Sequence, residues 1–457
     1  MSDLALCKLC IRQFSGEQQE IEIKELGENE YCPLCFGIID DELIEQVAAE
    51  AARLLNEKPY DSSTFILALA LPASQMLQFH PGQAVPEIYG YAMLGSVQAA
   101  CHQLATGMSP TLTSELQMTI TFENDEFADS DRNFIESTFP GDFQSRKRKQ
   151  QNWAENGQPE MSKVQLIPYF GRLTEEQSKR YTIKKPSKKC TFSIAFEREP
   201  VYIAGRYCKY SRSLPQSPWS ADEQILPIPG NSVTEKVCEI LKREFQAESY
   251  RFVASGREDV DVRMLGTGRP FVVHLINCRR LLGLKWPHYI DRLKGLEAEI
   301  NKQDGIRINQ LTRVNRDEAE SLSVGQEEKR KTYTAFCYST KLITDDMLTN
   351  PMARIPLETI QKTPVRVMKR RSLLDRPRTI FTMETMRIDD FHFLLRVETQ
   401  AGTYIKEFVH GDFGRTRPSM ADLMGVDKGD EVDILELDVE NVDLEWPPFY
   451  ESPQKFK

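Results

Sequence analysis

Four cysteines lie in the first 35 residues of this 457-residue chain, as Cys7-x2-Cys10 and Cys32-x2-Cys35 with 21 residues between the pairs. Each CxxC turn can present two thiolates, and two turns fill the four positions of a tetrahedral Zn²⁺ with Zn–S arms of ~2.3 Å. Four sulfurs leave no open position, so the metal implied is structural. Gly16 and Pro33 supply turns, with Ile21, Ile23 and Leu26 as a strand between. A second concentration of reactive side chains is SGREDVDVRMLGTGRPF at 255–271, where Arg257, Glu258, Asp259, Asp261 and Arg263 sit between two apolar strands. A charged turn of this kind is ordinarily just solvated. Gly266-x-Gly268 invites a phosphate-loop reading, but Pro270 forbids the helix that must follow, and we reject it. In TQAGTYIKEFVHGDFGRTRPS at 399–419, Thr403 can cap a helix that carries Lys406 beside Tyr404. In KTYTAFCYS at 331–339, Tyr333, Ala335 and Cys337 share one strand face, where a tyrosine is by default a core residue.

The elements that must position these groups are partly visible in hydrophobic periodicity. Helical spacing marks Asp41–Leu55, and Ser232-Val233-Thr234-Glu235 is a capping box that launches a second helix. Thr64–Leu71 reads as a buried strand, and Leu116–Glu123 alternates as a half-buried one. TFSIAF, after 190, is strand-like. Residues 123–163 turn polar and irregular, which predicts a long loop or disordered insertion. Beyond residue 198, strands are expected at Tyr250–Ala254, Phe271–Ile276, Ile306–Val314, Lys331–Ser339, Arg366–Met368, Arg378–Met386 and Phe391–Glu398. Helices are expected near His288–Lys302 and Tyr404–Phe413. Without regular βαβ alternation this is an α+β fold with a largely antiparallel sheet.

Composition (40% hydrophobic, 28% charged) is globular, and the length suits two or three domains. The longest strictly apolar run, Phe65–Leu71, is too short to span a bilayer, and the opening MSDLALCKLC has no basic n-region. Ten cysteines are too few for a disulfide scaffold, and six are scattered singly. We expect a soluble protein of a reduced compartment, nucleus or cytoplasm with the mitochondrion left open, without a membrane partner and acting as a monomer. The net charge of −10 hides a split: residues 1–145 hold 6 Lys/Arg against 23 Asp/Glu, and the remainder is net +7. The basic part is compatible with a polyanionic ligand.

Taken together these motifs resemble the archaeal and eukaryotic tRNA pseudouridine synthase 10 family. GRED looks like the catalytic GRTD-type turn of pseudouridine synthases, and GTYIKEFVHGDFG like the GTYIR…DLG motif of the TruB branch. KTYTAF, QKTPVRV, GRYCKYSRSLPQSPW at 205–219 and the paired CxxC motifs belong to the same resemblance, whereas residues 123–190 carry little of it. The resemblance implies that Asp259 is the catalytic aspartate. Tyr333 would stack beneath the target base and assist proton removal from C5. Lys406, at the Arg position of the motif, would pair with Asp259 and keep it charged. Asp261 and Arg263 would make loop-fixing salt bridges. Arg257 and Tyr404 are substrate-binding candidates, as are Arg206 and Arg269. With Lys209, Arg212, Lys369, Arg370, Arg371, Arg415 and Arg417 the last two compose a candidate phosphate track, which the basic clusters at 146–149 and 184–189 could extend.

The implied layout is a zinc module over 1–40, a THUMP-related RNA-binding domain over 41–197 and a catalytic domain over 198–457. The implied partner is tRNA, met at its TΨC arm, with other structured RNAs also open. The implied cofactor is Zn²⁺ alone, because an isomerisation needs no organic cofactor. The alternative is a noncatalytic zinc-containing RNA-binding or assembly protein with a retained synthase fold; intact Asp259, Tyr333 and Lys406 speak against it. A methyltransferase would need a Gly-rich strand–loop–helix, and none is found.

Overall fold

The computed structural model describes residues 5–8, 10–11, 26–27, 30–78, 85–103, 107–143, 163–182, 184–219, 228–285, 288–324, 329–369, 371–427 and 429–448. The predicted strand residues Ile21 and Ile23, the basic run 146–149 and Arg370 lie outside them. The chain divides into two units, 1–199 and 200–457.

In the first unit, the helix Asp41–Glu57 starts where the Asp40 carboxylate accepts from the Glu42 N–H, with Asp41 and Glu42 favouring the positive end of the helix dipole. Its Leu43, Val47, Ala51 and Leu55 face the core. That core covers one side of a four-stranded sheet built from β1 (Thr64–Ala70), β2 (Ser109–Pro110), β3 (Leu116–Glu123) and β4 (Thr191–Arg198), in the order β2-β1-β3-β4. β1 runs parallel to β2 and β3, and β3 antiparallel to β4. The alternation in β3 holds, with Leu116, Met118, Ile120 and Phe122 all buried.

Two expectations are corrected here. Part of the polar stretch after residue 123 is a helix, Ala128–Thr138, which packs Ile135 with Phe143, Leu166 and Phe170 in a small core of its own. Its sequence hides this because Asp131, polar by type, is a buried helix residue that accepts from Ser74 and Tyr181 and pairs with Lys184 at 2.8 Å. The basic cluster at 184–189 is neutralised within its own unit: Lys184 pairs with Asp131, Lys185 with Glu30, Lys188 with Asp125 and Lys189 with Asp40 and Glu42.

The second unit is α+β around one ten-stranded sheet. Its strands are β5 (Val201–Lys209), β6 (Ser249–Ala254), β7 (Arg263–Ile276), β8 (Ile306–Val314), β9 (Lys331–Ser339), β10 (Leu357–Lys362), β11 (Asp375–Arg387), β12 (His392–Thr399), β13 (Thr416–Arg417) and β14 (Val432–Val442). The order is β13-β10-β11-β12-β9-β14-β7-β5-β8, with β6 also on β7. Among the described residues only β14–β7 is parallel; the other pairings are antiparallel. The helices Val233–Phe245 and Tyr289–Ile300 lay Val237, Leu241, Phe245, Leu293 and Leu296 on this sheet. Ser232 caps the first by accepting from the Glu235 N–H, but the reciprocal half of the expected capping box is not made: the Glu235 carboxylate accepts from the Gly230 N–H and the Ser232 hydroxyl instead.

What positions the site is a division along β7. One edge pairs with β14 at Arg263 and Met264, then with β6 from Phe271 to Ile276. On the other edge the register with β5 jumps between Tyr207↔Arg269 and Lys209↔Met264, so residues 265–268 bulge out of the ladder. Two glycines permit this. A Cβ on Gly266 (φ +59°) would lie 2.0 Å from the Glu440 carbonyl oxygen, and one on Gly268 (φ +85°) 2.8 Å from that of Tyr207. The connection 255–262, which carries GRED, leaves β6 and enters β7 at this break.

Candidate active site and metal centre

The GRED loop is held from below by a buried polar layer. Glu258 accepts from Arg269 Nε at 2.7 Å and from the Tyr207 hydroxyl at 2.9 Å, and Arg269 Nη1 donates to the Ser255 carbonyl at 2.8 Å. Gln216 Nε2 donates both to the Tyr207 hydroxyl and to the Gly256 carbonyl. Lys209, fully buried, donates to the carbonyls of Val260 at 2.7 Å and Leu214 at 2.9 Å; burial pushes its pKa down to about 8. Gly256 passes over this layer at φ +89°, where a Cβ would come within 2.9 Å of both Arg269 Nη1 and Lys331 Nζ. Burial, reinforced by Arg269, pushes Lys331 down to about 7. Unpairing a buried ion pair such as Glu258–Arg269 costs about 3–5 kcal/mol, which makes this layer a rigid seat for the loop.

Asp259 itself remains partly exposed, and its carboxylate faces two cations. Arg366 Nη1 lies 3.0 Å from Asp259 Oδ2, and Lys406 Nζ 3.5 Å from the same oxygen. The second end of the Arg366 guanidinium, Nε, reaches the buried Glu407 at 2.7 Å. Burial works against the Arg366 charge, but Glu407 and Asp259 outweigh it and hold its pKa above the usual range. Lys406 is closer to Asp261, at 2.7 Å. Burial alone would raise the Asp261 carboxyl, yet the Lys406 ammonium holds it below the ordinary carboxylate range. The expected Lys406–Asp259 pair is therefore the longer of two contacts, and the guanidinium on Asp259 belongs to Arg366. Sequence reading placed Arg366–Met368 in a strand. Those residues form a 3₁₀ turn after Pro364, and it is this turn that brings Arg366 to the loop.

Tyr333 sits in β9 on a row that runs Val397–Tyr333–Val439–Met264 across the sheet. Burial pushes its hydroxyl up to about 12. Tyr404 precedes the helix Ile405–His410, its backbone N–H and carbonyl both bonded to the Gln361 amide, and its ring lies 6.0 Å from the Arg366 Cζ. Thr403 does not cap that helix; its hydroxyl donates to the Gln400 carbonyl. Arg257 is exposed on the loop.

Four nominated phosphate contacts are structural instead. Arg206 is buried and donates to the carbonyls of Thr267, Gly268, Val442, Leu444 and Trp446, the acceptors released by the β7 bulge and the end of β14. Buried carbonyls need donors, and a central strand flanked by β7 and β8 supplies one. Arg269 and Lys209 belong to the layer beneath the loop. Arg212 bonds the Asp261 and Leu437 carbonyls and pairs with Glu436 and Asp438, while Arg263 also holds Asp438. Lys369, Arg371 and Arg417 are exposed.

After the helix Ile405–His410 the chain makes a left-handed turn through Gly411, Asp412, Phe413 and Gly414, at φ +77°, +46°, +55° and +80°. The two residues with a Cβ each cost ~1–2 kcal/mol there. Asp412 is anchored: its buried carboxylate accepts from the Val365 N–H at 3.2 Å, and its own N–H donates to His410 Nδ1 at 3.0 Å. Phe413 is 95% exposed.

In the first unit, the Sγ atoms of Cys7, Cys10, Cys32 and Cys35 all lie within 4.8 Å of one another. The Cys7–Cys35 separation is 3.7 Å, close to the ~3.8 Å edge of a tetrahedron with ~2.3 Å arms. Three of the four are buried, and the Cys10 N–H donates to Cys7 Sγ at 3.4 Å. These four thiols can hold one metal ion.

The family model described as "Pus10, C-terminal" matches residues 202–443. A tRNA pseudouridine synthase Pus10 from Xenopus laevis is 35% identical over 445 residues, which cover 91% of this chain and 81% of the relative. The Homo sapiens protein of that name is 33% identical over 441 residues, covering 91% and 79%. The Pyrococcus furiosus protein of that name is 34% identical over 282 residues, covering 61% and 67%. The matched span contains the GRED loop, Arg366, Tyr333 and the GTYIKEF helix, and on these grounds the chain belongs to the Pus10 family.

Proposed function

We propose that the protein is a tRNA pseudouridine synthase that isomerises uridine in the TΨC arm, with Asp259 as the group that opens the glycosidic bond. The observation that carries this is the Asp259 carboxylate, set on a loop locked from beneath and faced by Arg366 at 3.0 Å and Lys406 at 3.5 Å. In the reaction the N1–C1′ bond breaks, uracil turns, a C5–C1′ bond forms, the C5 proton leaves to solvent and N1 takes up a proton, so that the atoms balance. Nothing is oxidised or added, so one carboxylate suffices, as nucleophile on C1′ or as base on the 2′ carbon. Arg366 and Lys406 orient that carboxylate. Tyr333 stacks beneath the uracil and keeps it from escaping; with its hydroxyl held at about 12, it remains a neutral ring.

The target uridine must leave its stack, at an unstacking cost of a few kcal/mol. Among the described residues, exposed Arg257, Lys369, Arg371 and Arg417 are candidates to offset it through phosphate contacts. In this reading Zn²⁺ is the ion of the four thiols, where it would brace the first unit, which carries a THUMP-related RNA-binding function. The six cysteines scattered singly outside the CxxC pairs fit a reduced compartment, nucleus or cytoplasm with the mitochondrion left open.

The test is incubation with unmodified tRNA transcript and carbodiimide-adduct primer extension. We expect new stops in the TΨC arm. Binding without any stop would instead support the noncatalytic reading.

A further inference from the structure

Phe413 has an arrangement that the fold does not need. Its ring is 95% exposed, on a backbone at φ +55° that a bulky residue rarely adopts. A glycine there would relieve the backbone and leave the core unchanged. The surroundings nonetheless fix it: Asp412 is tied to the Val365 N–H at 3.2 Å, and Arg415 Nη2 donates to the Thr363 carbonyl at 2.7 Å. The turn is thereby fastened to the segment that ends at Arg366, whose guanidinium touches Asp259. The Arg417 guanidinium lies against the turn, 3.2 Å from where a Cβ on Gly414 would sit, and the stretch that begins at the fastened Val365, itself 46% exposed, carries exposed Lys369 and Arg371 and Leu374, 55% exposed. A flat ring on a rigid pedestal among cations suits a nucleic-acid base, whose π face stacks on any aromatic while its phosphates meet the charges. A purely apolar partner would be opposed by the same cations.

We propose that Phe413 is an RNA-stacking residue: it takes an unpaired base of the RNA beside the flipped uridine and so holds the vacated stack open. The proposal rests on the synthase reading, and it assigns a side chain outside the catalytic loop to the unstacking step.

The experiment uses the full chain with Phe413→Gly and Phe413→Trp, and unmodified tRNA transcript as the probe. We expect Phe413→Gly to keep or raise the thermal midpoint while kcat/KM for pseudouridine formation falls about 10-fold. Phe413→Trp should retain activity, and its added emission, taken as the difference from wild type, should be quenched when tRNA binds. Wild-type kcat/KM in Phe413→Gly, or no quenching in Phe413→Trp with bound tRNA, would overturn the proposal. So would a wild-type dimer that Phe413→Gly dissolves, since that assigns the face to a second copy. If wild type itself forms no pseudouridine, the synthase reading fails, and the quenching still decides whether Phe413 stacks on RNA.

Discussion

Arg366 grips Asp259 and Glu407 with different nitrogens of one planar fork, so the position of the Asp259 carboxylate is referred to a buried residue of the following helix. A lysine at 366 would keep the charge but could not hold both acids in a fixed relation. We therefore expect Arg366→Lys to bind tRNA with wild-type affinity and to lose roughly 10- to 100-fold in kcat, the size of effect that small misplacements of a reacting group produce. Single-turnover kinetics with a separate binding measurement checks this, and an unchanged kcat would remove Arg366 from the site. Among residues, the clustering of the four cysteines was legible because their spacing names it, and motif likeness alone is what nominates Asp259, Tyr333 and Lys406. Arg206, Lys209 and Arg269 were misread because residue type alone cannot distinguish a cation on the surface from one that satisfies buried carbonyls or a buried acid. The available clue was their place within apolar strands. Arg366 and Glu407 were missed because the partners of both are remote in sequence.

At the scale of elements, the β6–β7 connection rests on a charged underside that includes Lys331 at the start of β9, facing Arg269 and Glu258. Between about pH 7 and the ordinary lysine range near ~10.4 the unfolded chain binds a proton at this residue that the folded chain does not. Stability therefore rises with pH across that window; as pH falls it is lost progressively from about 10 and the loss is complete by about pH 7. Thermal midpoints of wild type and Lys331→Met should converge toward high pH, with the wild type falling relatively further from about pH 10 down to about pH 7 and the difference constant below that; parallel profiles across the window would contradict this. Long strands such as Ile306–Val314 and Lys331–Ser339 were readable to the residue, because alternation and β-branched content agree there. The β7 bulge and the left-handed turn at 411–414 were not, since both arise from contacts with β5, β14 and the segment 362–365 rather than from local preference.

For the whole molecule, the two units have separate supports. The first gathers acidic residues, some neutralised by Lys184, Lys185, Lys188 and Lys189, around a sheet and a cluster of four thiols. Metal released by acid or thiol modification should be about one Zn²⁺ per chain, and a strong chelator should open the segment 30–78 to protease while 229–448 stays protected. Full protection of both segments without metal would show that the thiols pack unaided. The second unit holds every group of the proposed chemistry, which the synthase reading assigns to one carboxylate. The most direct measurement is tritium release from tRNA labelled at uridine C5, comparing wild type with Asp259→Asn at equal tRNA occupancy. We expect release by wild type and none above background by Asp259→Asn, with tRNA affinity unchanged; release at comparable rates by the two proteins would contradict the account.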